Sequence, residues 1–228
     1  KPWEAGKYKK LLTRSTQHPY VSQTVQNRYL FGTDSLRPGK DVILTEGVMD
    51  AIMAIQAGYS CISPATVRLS ARDGPLLLKE TKQSGQIYII NDNEENEAGR
   101  KGAEATARFL ESKGKHALLV ELPRKAAQDK IDLADFLREE GREGLDQLLQ
   151  TARPLYAWQL ERTPKPAQRE LLLPAARDFI VDNLSLLSDE FLVEGFIREK
   201  VIAQFGLKMG DVKALLKVWK DNRSDPPK

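Results

Sequence analysis

Between residues 40 and 140 short apolar runs alternate with stretches whose apolar residues recur at helical spacing, and nothing else in this 228-residue chain restricts the fold as strongly. Parallel strands buried on both faces are apolar throughout, and each needs a crossover, usually a helix, to reach the next. The pattern therefore predicts an α/β unit built on a parallel sheet. Its first strand is Asp41-Val-Ile-Leu-Thr-Glu46; Gly47 then leads into Val48, Ala51, Ile52 and Ile55 at helical spacing, with Gly58 as the stop. Ser60-Cys-Ile-Ser63 gives a second strand, followed by a Pro/Thr loop and a helix around Pro75 to Lys82. Gln86-Ile-Tyr-Ile-Ile-Asn91 gives a third, running into the acidic cluster Asp92-Asn-Glu-Glu-Asn-Glu97. Ala98 and Gly99 open a helix with Ala103, Ala107 and Leu110 on one face and Gly114 past its end. A fourth strand is expected over His116 to Leu122 and a further helix over Leu133 to Glu140.

From Arg153 onward the strand signal stops, and Thr163-Pro-Lys-Pro166 reads as a linker into a helical region reaching about Asp221. Ser188 is the expected N-cap of a helix carrying Phe191, Phe196 and Ile202, with Gly206 as its stop. Met209, Val212, Leu215, Leu216 and Trp219 form an apolar stripe on the last helix, with Lys213, Lys217 and Lys220 elsewhere on its surface. Such a stripe reads as core, or as a contact with another domain. The expected organisation is a basic N-terminal segment at 1–39 packing on an α/β domain at 40–150, a helical C-terminal region at 151–223, and a disordered tail at 224–228. There is no internal repeat.

Composition narrows the function. No run approaches the roughly 18 apolar residues that a membrane span needs, which argues against a membrane role. The lone Cys61 leaves no internal disulfide and no cysteine-rich zinc module, so a reducing, cytoplasmic setting is expected and Cys61 reads as packing. Net charge is only +3, yet residues 1–39 hold seven Lys/Arg against two acids, a local excess that suits phosphates or a solvated tail. A first residue of Lys and the lack of an export signal suggest a fragment of a longer protein.

In parallel α/β sheets ligands gather at the carboxyl ends of strands, where loops converge and helix N-termini point into one crevice. Glu46 falls at the end of the first strand and Asp92 at the end of the third, with Glu94, Glu95 and Glu97 just beyond and Asp132 in the loop after the fourth. Carboxylates at neighbouring strand ends repel one another unless a cation joins them, and hard oxygen ligands suit Mg²⁺ or Mn²⁺. Such ions stabilise charge on a transferring phosphoryl group. Taken singly, each acid fits equally well as a helix N-terminal residue or as part of a solvated acidic loop.

Thr45-Glu-Gly-Val-Met-Asp50, with the following Ala-Ile-Met-Ala-Ile-Gln-Ala-Gly58, resembles the Glu-Gly-x-x-Asp motif and succeeding helix of Toprim domains, in the form found in bacterial DnaG-type primases. Ser63-Pro-Ala-Thr66 resembles that family's small-residue and threonine loop, Asp92-Asn-Glu94 its Asp-x-Asp motif, and Ala98-Gly-Arg-Lys-Gly-Ala103 the helix opening after it. Lys130-Ile-Asp132-Leu-Ala-Asp-Phe-Leu137 resembles the later acidic motif, and Gly6-Lys-Tyr8 with Phe31 the stretch leading into the domain. The likeness covers residues 6–145, with three departures: Glu94 replaces an aspartate, the segment from Asp92 to Gly99 is about two residues long for the family, and Ala134 replaces the second aspartate of the later motif.

The resemblance implies a Toprim-like parallel sheet of about four strands flanked by helices. It assigns Glu46 as general acid/base or metal-linked carboxylate, and Asp92 and Glu94 as catalytic metal ligands, with Glu97 the alternative to Glu94. Asp50 and Asp132 would support a second metal, Mg²⁺ or Mn²⁺. Lys7, Lys10 and Arg14 would contact template or nucleotide phosphates, Tyr8 would stack on a base, and Arg100 and Lys101 would meet phosphate or face solvent. The implied activity is that of a primase: DNA-directed synthesis of RNA primers on single-stranded DNA from ribonucleoside triphosphates, with a replicative helicase as a further partner and a phage, plasmid or other mobile element as a conceivable source. A Toprim nuclease and a noncatalytic nucleic-acid or replisome-binding module are the alternatives. The chain has no Walker A pattern, so helicase activity would have to lie elsewhere.

Overall fold

The computed structural model describes residues 30–66, 69, 73–125 and 128–223; the basic positions Lys7, Tyr8, Lys10 and Arg14 and the tail 224–228 lie outside the described residues. The α/β part runs β1 (Val42–Thr45), α1 (Val48–Gln56), β2 (Ser60–Ile62), α2 (Asp73–Glu80), β3 (Ile87–Ile90), β4 (Asn93–Glu94), α3 (Ala98–Glu111), β5 (Ala117–Leu119), β6 (Lys130–Ile131), α4 (Leu133–Leu149) and β7 (Arg153–Pro154). The main sheet has the order β2-β1-β3-β5-β7. Its first four strands are parallel and β7 is antiparallel to β5.

Alternate side chains of these strands enter two cores, which is why the strands read as unbroken apolar runs. On one face Val42, Leu44, Ile87 and Ile89 pack with Leu77 of α2 and with Ala103, Ala107 and Leu110 of α3. On the other, Ile43 and Ile90 pack with Ala51 and Ala54 of α1 and with Leu133 and Phe136 of α4. The register aligns Thr45 with Ile90, so β1 and β3 end side by side and hand their next residues to the same edge. The described end of the N-terminal segment packs on β2: Leu30 is buried in the core, Phe31 bridges to Ser63, and Ser35 Oγ accepts from the Cys61 N–H at 2.9 Å.

The sheet has five strands where the sequence predicts four, and the strand signal does not stop at Arg153. Strand β7 pairs Arg153 with Leu119 and Pro154 with Leu118, and two residues are too few to show a period. Pro154 is tolerated because β7 is the edge strand. The helix expected over Leu133 to Glu140 continues to Leu149 across a break at Gly141, whose φ of 66° lies in the left-handed region that favours glycine.

Beyond β7, helices α5 (Leu155–Arg162), α6 (Leu172–Leu184), α7 (Glu190–Phe196), α8 (Ile202–Phe205) and α9 (Val212–Asn222) build a third core. Asp189, not Ser188, caps α7, its carboxylate accepting from the Leu192 N–H at 3.1 Å. A π-helical turn at Ile197–Val201 joins α7 to α8, and Gly206 ends α8 in the left-handed conformation. The stripe on α9 is core as expected for Val212, Leu215 and Trp219, and the Trp219 indole donates to the Leu184 carbonyl at 3.0 Å. Met209 precedes the helix and is exposed. Helix α5 serves both halves: Leu155 and Trp158 belong to the sheet core, Leu160 to the helical core. Among the described residues no helix is long and apolar enough to cross a membrane.

Candidate active site

Because β1 and β3 are parallel neighbours in register, Glu46 and Asp92 leave the same sheet edge beside each other. Gly47 turns the chain from Glu46 into α1, and a Cβ there would collide with the Asp50 carboxylate, so the Glu-Gly-x-x-Asp spacing folds Asp50 back toward the strand end. Gly99 does the same service for α3: a Cβ would strike the backbone carbonyl of Asp92, so only glycine lets that helix start directly on the acid. Ser63 Oγ donates to the Glu46 carbonyl at 2.9 Å and fixes the end of β1 from the β2 side.

The Glu46 and Asp92 carboxylates come within hydrogen-bonding reach of each other. Two ionised carboxylates cannot bond in this way, so the pair needs a shared proton or a cation. Burial and then the adjacent Asp92 charge push the Glu46 carboxyl up to about 8, with Lys130 pulling the other way and Glu94 adding to the rise. Asp92 is only 5% exposed, and its Oδ1, like Glu46 Oε2, has no hydrogen-bond partner among the described residues. Unsatisfied buried oxygens of this kind are costly, and a bound water or cation would relieve them.

The other predicted acids surround this pair. Asp50 is buried, accepts from the Ala134 N–H at 3.0 Å, and is pushed up to about 6, chiefly by burial and further by the charges of Asp92 and Asp132. Asp132 caps α4, accepting from the Asp135 N–H at 2.8 Å, so both residues also do structural work at one helix N-terminus. Glu94 lies on β4, close enough for its charge to act on Glu46. Glu97 is exposed, at φ 57°, and turns away to ion-pair with Arg100 at 2.5 Å, which favours Glu94 as the acid that belongs with the pair.

The sequence reading assigns no role to Lys130, yet its ammonium is ion-paired with Asp92. Its place follows from the small antiparallel pairing of β4 with β6, which sets Glu94 opposite Lys130 and Asn93 opposite Ile131. Two-residue strands carry no periodic signal; only the presence of Lys130 at the head of the later acidic motif could have pointed to it. Arg100 is held by Glu97 and by Glu104, the latter at 2.7 Å, whereas Lys101 is exposed. Beside the acids opens a cleft of about 590 Å³, lined by Asp92, Glu94, Arg100, Arg124, Arg153 and Trp158 among others.

The carboxylate chemistry of Glu46, Asp92 and Glu94 is of the kind that suits a divalent cation. Hard carboxylate oxygens are what Mg²⁺ and Mn²⁺ prefer, and two of them stand without partners. Among the described residues no group of three or more His, Cys, Asp or Glu side chains is placed so that it could hold a metal ion as it stands.

The Toprim domain profile matches residues 41–143, which take in both main motifs and α4 as far as its break. A search of curated protein sequences finds no match. Among solved structures the chain is similar to the zinc-binding and RNA polymerase domains of the Aquifex aeolicus primase, with a TM-score of 0.56, 23% identity, and coverage of 87% of this chain and 45% of that one. It is similar to a DNA primase domain from Pseudomonas aeruginosa, with a TM-score of 0.60, 18% identity, and coverage of 84% and 60%. It also resembles a DnaG primase catalytic domain bound to single-stranded DNA, at 0.56 and 20%, covering 79% and 57%. The chain thus spans about half the length of the primases it matches, and at these identities the likeness is one of fold. The Toprim domain profile thus covers residues 41–143, in a chain whose fold is similar to that of DnaG-type primase catalytic cores.

Proposed function

We propose that this chain is the catalytic part of a primase, joining ribonucleotides into short RNA on a single-stranded DNA template with Mg²⁺ or Mn²⁺ at the acid site. The observation that carries the reading is the meeting of Glu46 and Asp92 at one sheet edge, each with an oxygen left unpartnered, within a Toprim domain. Glu46, Asp92 and Glu94 would hold the catalytic ion, and Asp50 with Asp132 would support a second. A bound divalent cation supplies charge stabilisation for the transferring phosphoryl group.

In the reaction the 3′-hydroxyl of the growing primer attacks the α-phosphorus of the incoming ribonucleotide and pyrophosphate leaves. Glu46, at the strand end beside Asp92, would be the proton acceptor, and burial with the adjacent Asp92 charge, which raise its affinity for a proton, support that role. The cleft beside Asp92 is of a size that suits a nucleotide. Arg124 and Arg153 on its wall, with Arg100, would meet phosphates, and the basic positions Lys7, Lys10 and Arg14 with Tyr8 would guide the template. A cytoplasmic location, where the template and ribonucleotides reside, belongs to the same proposal.

The test is incubation with single-stranded DNA, labelled ribonucleoside triphosphates and Mg²⁺ or Mn²⁺. Short RNA products are expected, reduced on the order of 100-fold or more in Glu46→Gln and in Asp92→Asn. Template cleavage without RNA would replace the proposal with the nuclease reading, and RNA synthesis untouched by both substitutions would refute the site.

A further inference from the structure

We propose that Lys130 is the chain's own counter-cation for the acid pair, holding the site together while it is metal-free and giving way when a divalent cation loads. The inference rests on the acid site reading above and adds to it how the site is kept assembled when empty. Lys130 Nζ is ion-paired with Asp92 Oδ2, and Asp92 is the most buried of the strand-end acids. Among the described residues Lys130 is the cation whose charge acts on Glu46 and Asp50, both of which also feel the Asp92 charge, and Glu94 acts on Glu46 and on Lys130 in turn.

An ammonium is nevertheless an incomplete occupant. It donates hydrogen bonds to a carboxylate but cannot gather several hard oxygens around one centre, and Asp92 Oδ1 and Glu46 Oε2 stay unpartnered beside it. A divalent ion on the same oxygens would place three positive charges within contact distance, so ion and ammonium exclude one another.

The geometry also makes the exchange easy. The Lys130 side chain is 46% exposed, so its head can swing into water without leaving a void. Its backbone cannot follow, because β6 is paired to β4 and neighbouring Ile131 is 2% exposed in the core, while Asn93 Nδ2 donates to the Leu122 carbonyl at 2.8 Å. The acid loop therefore keeps its place while the charge moves. Lys130 is thus a positioning residue with a competitive side effect on metal affinity.

Mn²⁺ titration of the 228-residue chain, read by the electron paramagnetic resonance of free Mn²⁺ and without nucleotide, tests this. Lys130→Met should bind Mn²⁺ on the order of tenfold more tightly than the native chain, Lys130→Arg should bind like the native chain, and Asp92→Asn should lose the site. The metal-free Lys130→Met protein should also melt lower and recover on Mn²⁺ addition, with Lys130→Gln as a second neutral variant. Equal or weaker binding by the neutral variants overturns the proposal, as does Arg tightening binding as much as Met. If neither neutral variant folds even with Mn²⁺ present, Lys130 is a structural tie and the proposal also falls. Mn²⁺ binding that vanishes in Asp92→Asn but ignores Lys130 would sink this inference alone. No Mn²⁺ binding by the native chain would sink it together with the acid site reading.

Discussion

Replacing Glu111 by Gln should stabilise the chain at neutral and alkaline pH and leave it unchanged in acid. Glu111 closes α3 at the junction with the C-terminal helices and is 8% exposed. Burial pushes its carboxyl up from an ordinary 4.5 to about 7, with Arg108 giving partial relief. That guanidinium is engaged elsewhere, donating to the Asp182 carbonyl at 2.8 Å, which is why the relief is incomplete. The folded state therefore binds a proton more tightly than the unfolded chain does. Below about 4.5 both states are protonated and nothing is lost; between about 4.5 and 7 the unfolded chain releases its proton first, so stability falls as pH rises, and above about 7 the whole penalty stands. At about 1.4 kcal/mol per pH unit the penalty reaches about 3 kcal/mol, an upper figure because the glutamine amide must also be buried. Thermal unfolding followed by circular dichroism at pH 4.5 and at pH 8 measures it. Each kcal/mol is worth roughly 2–4 °C in a chain of this size, so the variant should gain several degrees at pH 8 and almost none at pH 4.5. A gain of the same size at both values, or none at pH 8, would refute the argument from burial.

Gly99→Ala should destabilise the chain by about 1–3 kcal/mol in urea unfolding and abolish Mn²⁺ binding and RNA synthesis, because the new methyl must push α3 off the Asp92 carbonyl. Full activity in that variant would show that the close approach is unimportant. Trp219→Ala should cost about 3–5 kcal/mol, since the indole is fully buried and its N–H is bonded to Leu184; a loss under about 1 kcal/mol would mean the helical core tolerates the cavity. Phe191→Asp, at a side chain 92% exposed, should change urea stability by no more than about 0.5 kcal/mol.

The reach of the sequence can be judged from particular residues. Strands β1 and β3 were legible because burial on both faces leaves unbroken apolar runs, and the strand-end position of Glu46 and Asp92 followed from them. Strands β4, β6 and β7 were not, since each is two residues long and exists through its partner rather than through its own pattern. Lys130 was overlooked for that reason: what matters is the segment it pairs with, more than thirty positions earlier in the chain. Ser188 and Asp189 are adjacent residues with equally good capping side chains, and the backbone at Asp189 made the choice. Met209 matched the spacing of the α9 stripe but falls on the turn before it, where helical spacing no longer holds.

Helix α5 has a mechanical corollary. Eight residues long, it spans about 12 Å, with Leu160 gripped among the C-terminal helices and Trp158 on the wall of the cleft, where its indole donates to Glu104 at 3.1 Å under the Arg162 guanidinium. The two cores are consequently spliced rather than strung together. Cutting the chain at residue 150 would strip one wall from the cleft, and a load applied to the far bundle would reach the tryptophan beside the acids along this rod, with the Arg108–Asp182 contact as a second tie to α3.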